Sequence, residues 1–340
     1  MNRFFTTLAT SLLLLSLVDG ARADQAGWRQ ITIGASGTSP PIVVALYYPT
    51  RAPSRTVAMG PFMVQVAVQA PPEATVKGLI VLSHGTGGSE LAHSSLAEAL
   101  ARDGYLVAAL RHPGDNWQDR SLLKDRSGAY FRERPRQVTR VIDALLGDPQ
   151  WSERIARDAS GPRIGAVGHS AGGYTVLALA GGSPDLSRLV GHCSDEAADD
   201  PIFCELSTRE RRSGAAPSIP APIPSVADPR VRAVVALAPL GVVFTAQSLA
   251  AVRIPVALYE AEDDRFLVPR FHAEWVARNV PGVQMHRVAD AWHFAFVDPP
   301  TMAIGSEDGD IAADPSGFDR RAFLEQLARE IPTFFDRAFP

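Results

Sequence analysis

Six short apolar runs separated by helix-length segments constrain this chain more than any other feature. The runs are Gly78 to Ser83, Tyr105 to Leu110, Arg163 to Val167, Val231 to Leu237, Ile254 to Tyr259 and Val283 to Val288. The first five are apolar at mostly consecutive positions, the pattern of strands buried on both faces, while Val283 to Val288, with Gln284, His286 and Arg287, reads as a more polar strand of the same series. Such strands require a mostly parallel sheet covered by helices on either side, which is an α/β fold. The intervening segments fit: Glu90 to Asp103, the stripe Val138, Val141, Ile142 and Leu145, a helix starting just after Ser170, Arg270 to Asn279, and a C-terminal helix from Arg320. Ahead of them, Trp28 to Ile33, Val43 to Tyr48 and Phe62 to Val68 read as antiparallel strands with Pro and Gly clusters between. The rhythm breaks at about 182–229, where Pro220, Pro222 and Pro224 alternate and exclude a central strand. That stretch reads as an inserted loop or small lid within one domain spanning 24–340.

Composition narrows the chemistry. With 340 residues, a formal charge of −4 and a sequence pI near 6.1, the chain has no electrostatic footprint for nucleic acid or anionic membranes. Its only lysines are Lys77 and Lys124, so Schiff-base chemistry and P-loop phosphate binding have almost no candidates. Small neutral or weakly charged substrates are favoured, and oligomeric state is not legible.

Residues 1–23 read as a secretory signal peptide: Arg3, an apolar run from Leu12 to Val18, then Ala21-Arg22-Ala23 as a small-x-small cleavage site. The run is shorter than the roughly 20 residues needed to span a bilayer, so no membrane insertion is expected. An exported chain, periplasmic or extracellular, meets oxidising conditions, and Cys193 and Cys204, the only cysteines, are expected to form a disulfide. Two buried free thiols are the alternative, and a zinc site is a poorer reading still, since only His192 adjoins the pair.

The sharpest chemical signal is Gly168-His169-Ser170-Ala171-Gly172, a G-x-S-x-G pattern between a predicted strand and a predicted helix. An abrupt strand-to-helix turn exposes its central serine, and the new helix aims its free amides and positive end at the hydroxyl. Ser170 is therefore the candidate nucleophile. Its base must follow it in the chain. Of the eight histidines, His272, His286 and His293 do. His272 heads a helical segment and His286 sits in a strand pattern, whereas His293 lies past the last strand among Trp292, Phe294 and Phe296. Ser83-His84-Gly85-Thr86-Gly87-Gly88, after an apolar strand, has neither the Lys of a P-loop nor the glycine spacing of a dinucleotide fingerprint. It suits an oxyanion loop, with the amides of Thr86 and Ala171 as the two donors. The acidic run Glu307-Asp308-Gly309-Asp310 lacks the spacing of a calcium loop.

The ordered set Ser83 to Gly88, Gly168 to Gly173, Glu262-Asp263-Asp264 and Trp292-His293 resembles the α/β-hydrolase superfamily. Within it, Ala45-Leu46-Tyr47-Tyr48-Pro49, Arg111-His112-Pro113-Gly114 and Arg230 to Val234 are similar to predicted dienelactone hydrolases and to platelet-activating-factor acetylhydrolase-like and polyester hydrolases. True dienelactone hydrolases use a cysteine nucleophile, so a serine esterase is what the resemblance implies here. Asp263 and Asp264 both follow a predicted buried strand and compete as the acid. In the resembled families the acid stands three positions after a small turn residue, here Ala261, which selects Asp264.

The sequence thus implies an exported carboxylic-ester hydrolase of the α/β-hydrolase fold, acting through Ser170, His293 and Asp264 on a small-molecule ester without a cofactor or metal. An acyltransferase with the same triad, or an inactive binding module on this fold, are the alternatives.

Overall fold

The computed structural model describes residues 24–125, 127–212 and 223–339. The expected leader at 1–23, and Pro220 and Pro222 of the proline alternation, lie outside the described residues. Ten strands form one sheet: β1 (Gln25–Ile33), β2 (Ile42–Thr50), β3 (Arg55–Met59), β4 (Phe62–Val68), β5 (Leu79–Ser83), β6 (Leu106–Arg111), β7 (Ile164–His169), β8 (Val231–Leu237), β9 (Val256–Ala261) and β10 (Gln284–Val288). Their order is β10-β9-β8-β7-β5-β6-β2-β1-β4-β3. The six strands from β5 to β10 run parallel at the positions of the six runs; β10, at the sheet edge, carries Gln284, His286 and Arg287 and has no fully buried residue. The remaining pairings are antiparallel except a short parallel contact of β1 with β4 at Gly27–Ala67 and Trp28–Val68.

Consecutive apolar residues serve opposite faces, as the pleat demands. Leu79 and Val81 of β5 face one core, while Ile80 and Leu82 face the other. On the first face lie α2 (Ala129–Gly147), α3 (Ala171–Leu179) and α6 (Ala273–Asn279), contributing Val138, Val141, Tyr174 and Val276. On the second lie α1 (Ser94–Arg102) and α7 (Arg320–Ala338), contributing Leu96, Leu100, Leu327, Ile331 and Phe335. A Cβ at Gly165 of β7 would overlap the Phe335 ring, so the glycine lets α7 sit directly on the sheet.

Three local readings change. The first helix starts at Ser94 rather than Glu90, because Ser89 Oγ accepts the Leu91 amide at 3.0 Å and bends the chain into turns. β3, only five residues of mixed polarity, pairs with β4 at the sheet edge and carries too little periodicity to be read. The 182–229 stretch contains two helices, α4 (Leu186–Asp195) and α5 (Pro201–Arg212). Cys193 and Cys204 join them as a disulfide. Asp185 caps α4 by accepting the Ser187 amide at 2.9 Å.

Chain order positions the site. From β5 the chain moves to β6 on one side, then crosses back so that β7 lies on the other side of β5. The strand order reverses there, and the loops after β5 and β7, packed against each other at their roots, line a common cleft at the carboxyl ends of the strands.

Truncating Phe335 to Ala is expected to lower stability by about 3–5 kcal/mol, read as a shifted urea midpoint with unchanged slope. Replacing both cysteines with serine is expected to cost about 3 kcal/mol by the same measurement.

Candidate active site

Ser170, between the end of β7 and the start of α3, has φ 56° and ψ −116°, a conformation that L side chains rarely adopt. Its amide donates to the Leu237 carbonyl of β8 at 2.9 Å, and its carbonyl accepts the Leu240 amide at 3.0 Å. The neighbouring glycines are steric necessities. A Cβ at Gly168 would overlap the Gly172 carbonyl, and one at Gly172 would overlap the Ser83 carbonyl of β5. Strand, turn and helix are therefore pressed together so that position 170 projects at the sheet's edge.

His293 opens a short 3-10 helix, His293–Phe296, rather than lying in an open loop. Its Nδ1–H donates to Asp264 Oδ2 at 2.7 Å, and both side chains are buried. The other carboxylate oxygen of Asp264 accepts the amides of Phe266 at 2.9 Å and Leu267 at 2.8 Å. With Nδ1 protonated, Nε2 carries the lone pair. Phe266 stacks on the His293 ring at 4.9 Å and 16°, which fixes the ring plane. Asp263, one residue earlier, is exposed, and its amide donates to the Ala291 carbonyl. Only Asp264 of the two faces the imidazole.

Ser170, His293 and Thr86 line one cleft of about 550 Å³ whose other walls include Trp28, Met59, Phe62, Trp117, Phe294 and Ile311. In the loop after β5, the Gly87 amide donates to Asp115 at 2.9 Å and the Gly88 amide to the Gly85 carbonyl at 3.1 Å. The Thr86 amide has no acceptor among the described residues. Ala171, the first residue of α3, is buried beside Ser170.

His272 and His286 lie apart from this cleft. His286 of β10 stacks on Tyr259. His272 Nε2 and His192 Nε2 both bond Asp200 Oδ2, at 2.9 and 2.8 Å. Burial raises the pKa of Asp200, but those two hydrogen bonds outweigh it and hold the carboxyl at about 2. Its second oxygen accepts the Val268 amide at 3.4 Å, tying the disulfide-linked helices to the segment that carries Asp264. His192, Asp200 and His272 are close enough to share a metal ion, and so are His192, Cys193 and Cys204, but in the latter set both sulfurs are spent in the disulfide. In the former set the two imidazoles already satisfy the carboxylate. The acidic run is likewise occupied: Asp310 accepts the amides of Ile304 and Ala312, each at 2.9 Å, and Asp308 pairs with Arg265 at 3.0 Å.

Sequence reasoning missed a buried polar layer beneath the cleft. Arg134 and Asp115 form an ion pair at 0% exposure, and Arg134 also donates to the His84 carbonyl. His112 donates from Nδ1 to Gln137 at 2.7 Å and accepts from Ser83 Oγ at 2.8 Å. One signal was available. Arg134 lies four residues before Val138, on the same apolar stripe of its helix, and a cation there demands a buried partner.

Four histidines around the site, His84, His93, His112 and His169, have their pKa lowered chiefly by burial, His93 to about 4. They are neutral in the fold and protonate near pH 6.5 once unfolded, so each withdraws stability as pH falls below 6.5. Glu98 and Asp298, raised mainly by burial to about 7 and about 6, act in the opposite sense. The imidazoles outweigh the strongly raised carboxyls, so these groups together take up protons on unfolding below pH 6.5. Stability from urea titrations is therefore expected to fall as pH is lowered from 6.5 to 5.

No family profile matches the chain. Among curated proteins it is similar to cutinases of Thermobifida: 32% identical over 120 residues to cutinase est1 of Thermobifida alba, covering 35% of this chain and 36% of that protein. The cutinase of Thermobifida fusca is 28% identical over 120 residues, again 35% of this chain and 33% of the relative. The match thus spans about a third of the length of these relatives. Over the whole fold the chain superposes on a ferulic acid esterase from Streptomyces cinnamoneus with a TM-score of 0.60 and 21% identity, covering 93% of this chain and 91% of that one. With its parallel strands, antiparallel edge and helices on both faces, the chain has the α/β-hydrolase fold.

Proposed function

We propose that this chain is an exported carboxylic-ester hydrolase in which Ser170 is the nucleophile, His293 the base and Asp264 the orienting acid. The observation that carries the reading is the 2.7 Å bond from His293 to the buried Asp264, in the same cleft as a serine held at positive φ. A carboxylate on Nδ1 leaves Nε2 free to take a proton from Ser170 as its Oγ attacks the ester carbonyl. His293 then delivers that proton to the departing alcohol, and water, activated by the same imidazole, releases the acid from the acyl-enzyme. The amides of Thr86 and Ala171 would stabilise the oxyanion.

The partial likeness to cutinases and the shared fold with a ferulic acid esterase support esters as the substrate class. The cleft's aromatic and aliphatic walls favour an apolar group on the acyl or alcohol side. The motif resemblance to predicted dienelactone hydrolases and acetylhydrolase-like enzymes belongs to the same proposal. Export is supported by the leader-like residues 1–23 and the Cys193–Cys204 disulfide. Among the described residues no helix is long and apolar enough to cross a membrane.

Turnover of p-nitrophenyl acetate by the protein, with fluorophosphonate labelling at Ser170, tests the reading. Ser170→Ala is expected to lower kcat by about 10⁶-fold while leaving the circular dichroism spectrum unchanged. Labelling at another serine would move the site. Asp264→Asn is expected to lower kcat by about 10³-fold or more and Asp263→Asn by less than about tenfold, because only the former leaves the imidazole in the wrong tautomer. A more damaging Asp263→Asn overturns the choice of acid.

A further inference from the structure

The loop after β5 is held by groups the proposed mechanism does not use. Arg134 of α2 reaches three elements at once. It donates to the His84 carbonyl at the start of the loop, to Asp115 in the turn after β6, and from Nε to Thr175 Oγ1 of α3 at 3.1 Å. The second oxygen of Asp115 accepts the Gly87 amide at 2.9 Å. Tyr130, one turn earlier on α2, shares a hydrogen bond of 2.6 Å with Thr86 Oγ1. The residues on both sides of the Thr86 amide are thereby fixed, while that amide itself has no acceptor among the described residues.

A buried ion pair is weak grounds for stability, since desolvating two charges offsets most of their attraction. Its value here lies in what it joins. Thr86 and Ala171 stand on two separate segments, the loop after β5 and the start of α3, and Arg134 bonds both segments directly. The planar guanidinium fork sets the spacing between them in a way that no flexible side chain could.

We propose that Arg134, seated by Asp115, is a positioning residue that sets the distance between the Thr86 and Ala171 amides, and so the strength of the oxyanion site. The inference rests on the esterase reading above. Asp115 is occupied twice over, by the guanidinium and by the Gly87 amide, so that the loop cannot shift without breaking a hydrogen bond to one member of the ion pair. Arg134 touches no reacting atom.

The test compares an oxygen ester with its sulfur analogue, p-nitrophenyl acetate against p-nitrophenyl thionoacetate, because sulfur accepts amide hydrogen bonds poorly and responds little to an oxyanion site. Arg134→Lys keeps a cation beside Asp115 but cannot span both His84 and Thr175. It is expected to lower kcat on the oxygen ester by about 10²-fold with KM within about threefold, and to reduce the preference for oxygen over sulfur by about tenfold or more. Asp115→Asn, read by the same preference, is expected to move in the same direction and keeps the test intact if Arg134→Lys does not fold. A folded variant that loses kcat on both esters equally has lost only structural support, and that result overturns the proposal, as does wild-type behaviour. A wild-type protein that hydrolyses neither ester overturns the esterase reading first.

Discussion

The Ser83 carbonyl occupies the space that a side chain at position 172 would need. Around that contact the rest of the site is arranged. It brings the end of β5 against the first turn of α3, which is possible only because positions 168 and 172 are glycine. The same closeness drives Ser170 to positive φ, a strain that the packed sheet sustains through the hydrogen bonds of its amide and carbonyl to Leu237 and Leu240. The strand crossing between β5 and β7 places this junction at the carboxyl ends of the strands, and the strained residue lines a cleft there.

Beneath the cleft the protein keeps charge to a minimum. The histidines packed there are neutral, each with its ring hydrogen directed to a carbonyl or amide oxygen: His84 to Gly85, His93 to Phe296, His112 to Gln137 and His169 to His293. The bond from His169 to the His293 carbonyl is notable because it ties the residue before the serine to the backbone of the imidazole that faces Asp264. The full charges in this layer, Arg134 and Asp115, neutralise one another. A buried floor whose charges are paired strengthens any charge interaction formed in the cleft above it.

The disulfide-linked helices contribute indirectly. Asp200, between Cys193 and Cys204 in sequence, bonds His192 on its own segment and His272 at the head of α6, and receives the Val268 amide. Val268 lies four residues beyond Asp264 in the same turn, whose amides at 266 and 267 already hold the Asp264 carboxylate. The segment that broke the strand-helix rhythm therefore buttresses the turn on which the His293 geometry depends.

Much of this was legible before any coordinates. Short runs of consecutive apolar residues alternating with helix-length segments favoured a parallel sheet covered on both faces, and the glycines around Ser170 announced a backbone too close for side chains. Asp264 required the resemblance to related hydrolases, because two adjacent aspartates after a strand are equivalent to any local rule. The tertiary structure separates them: the turn points one carboxylate at His293 and the other at solvent. The paired helices at 186–212 escaped notice because the Gly, Pro and charged residues around them obscure the single short stripe Leu186, Leu189, Val190 and Cys193. Arg134 and Asp115 escaped for a related reason. A buried ion pair between residues 19 apart has no sequence spacing of its own, since its partners meet only after α2 has packed across the end of β6.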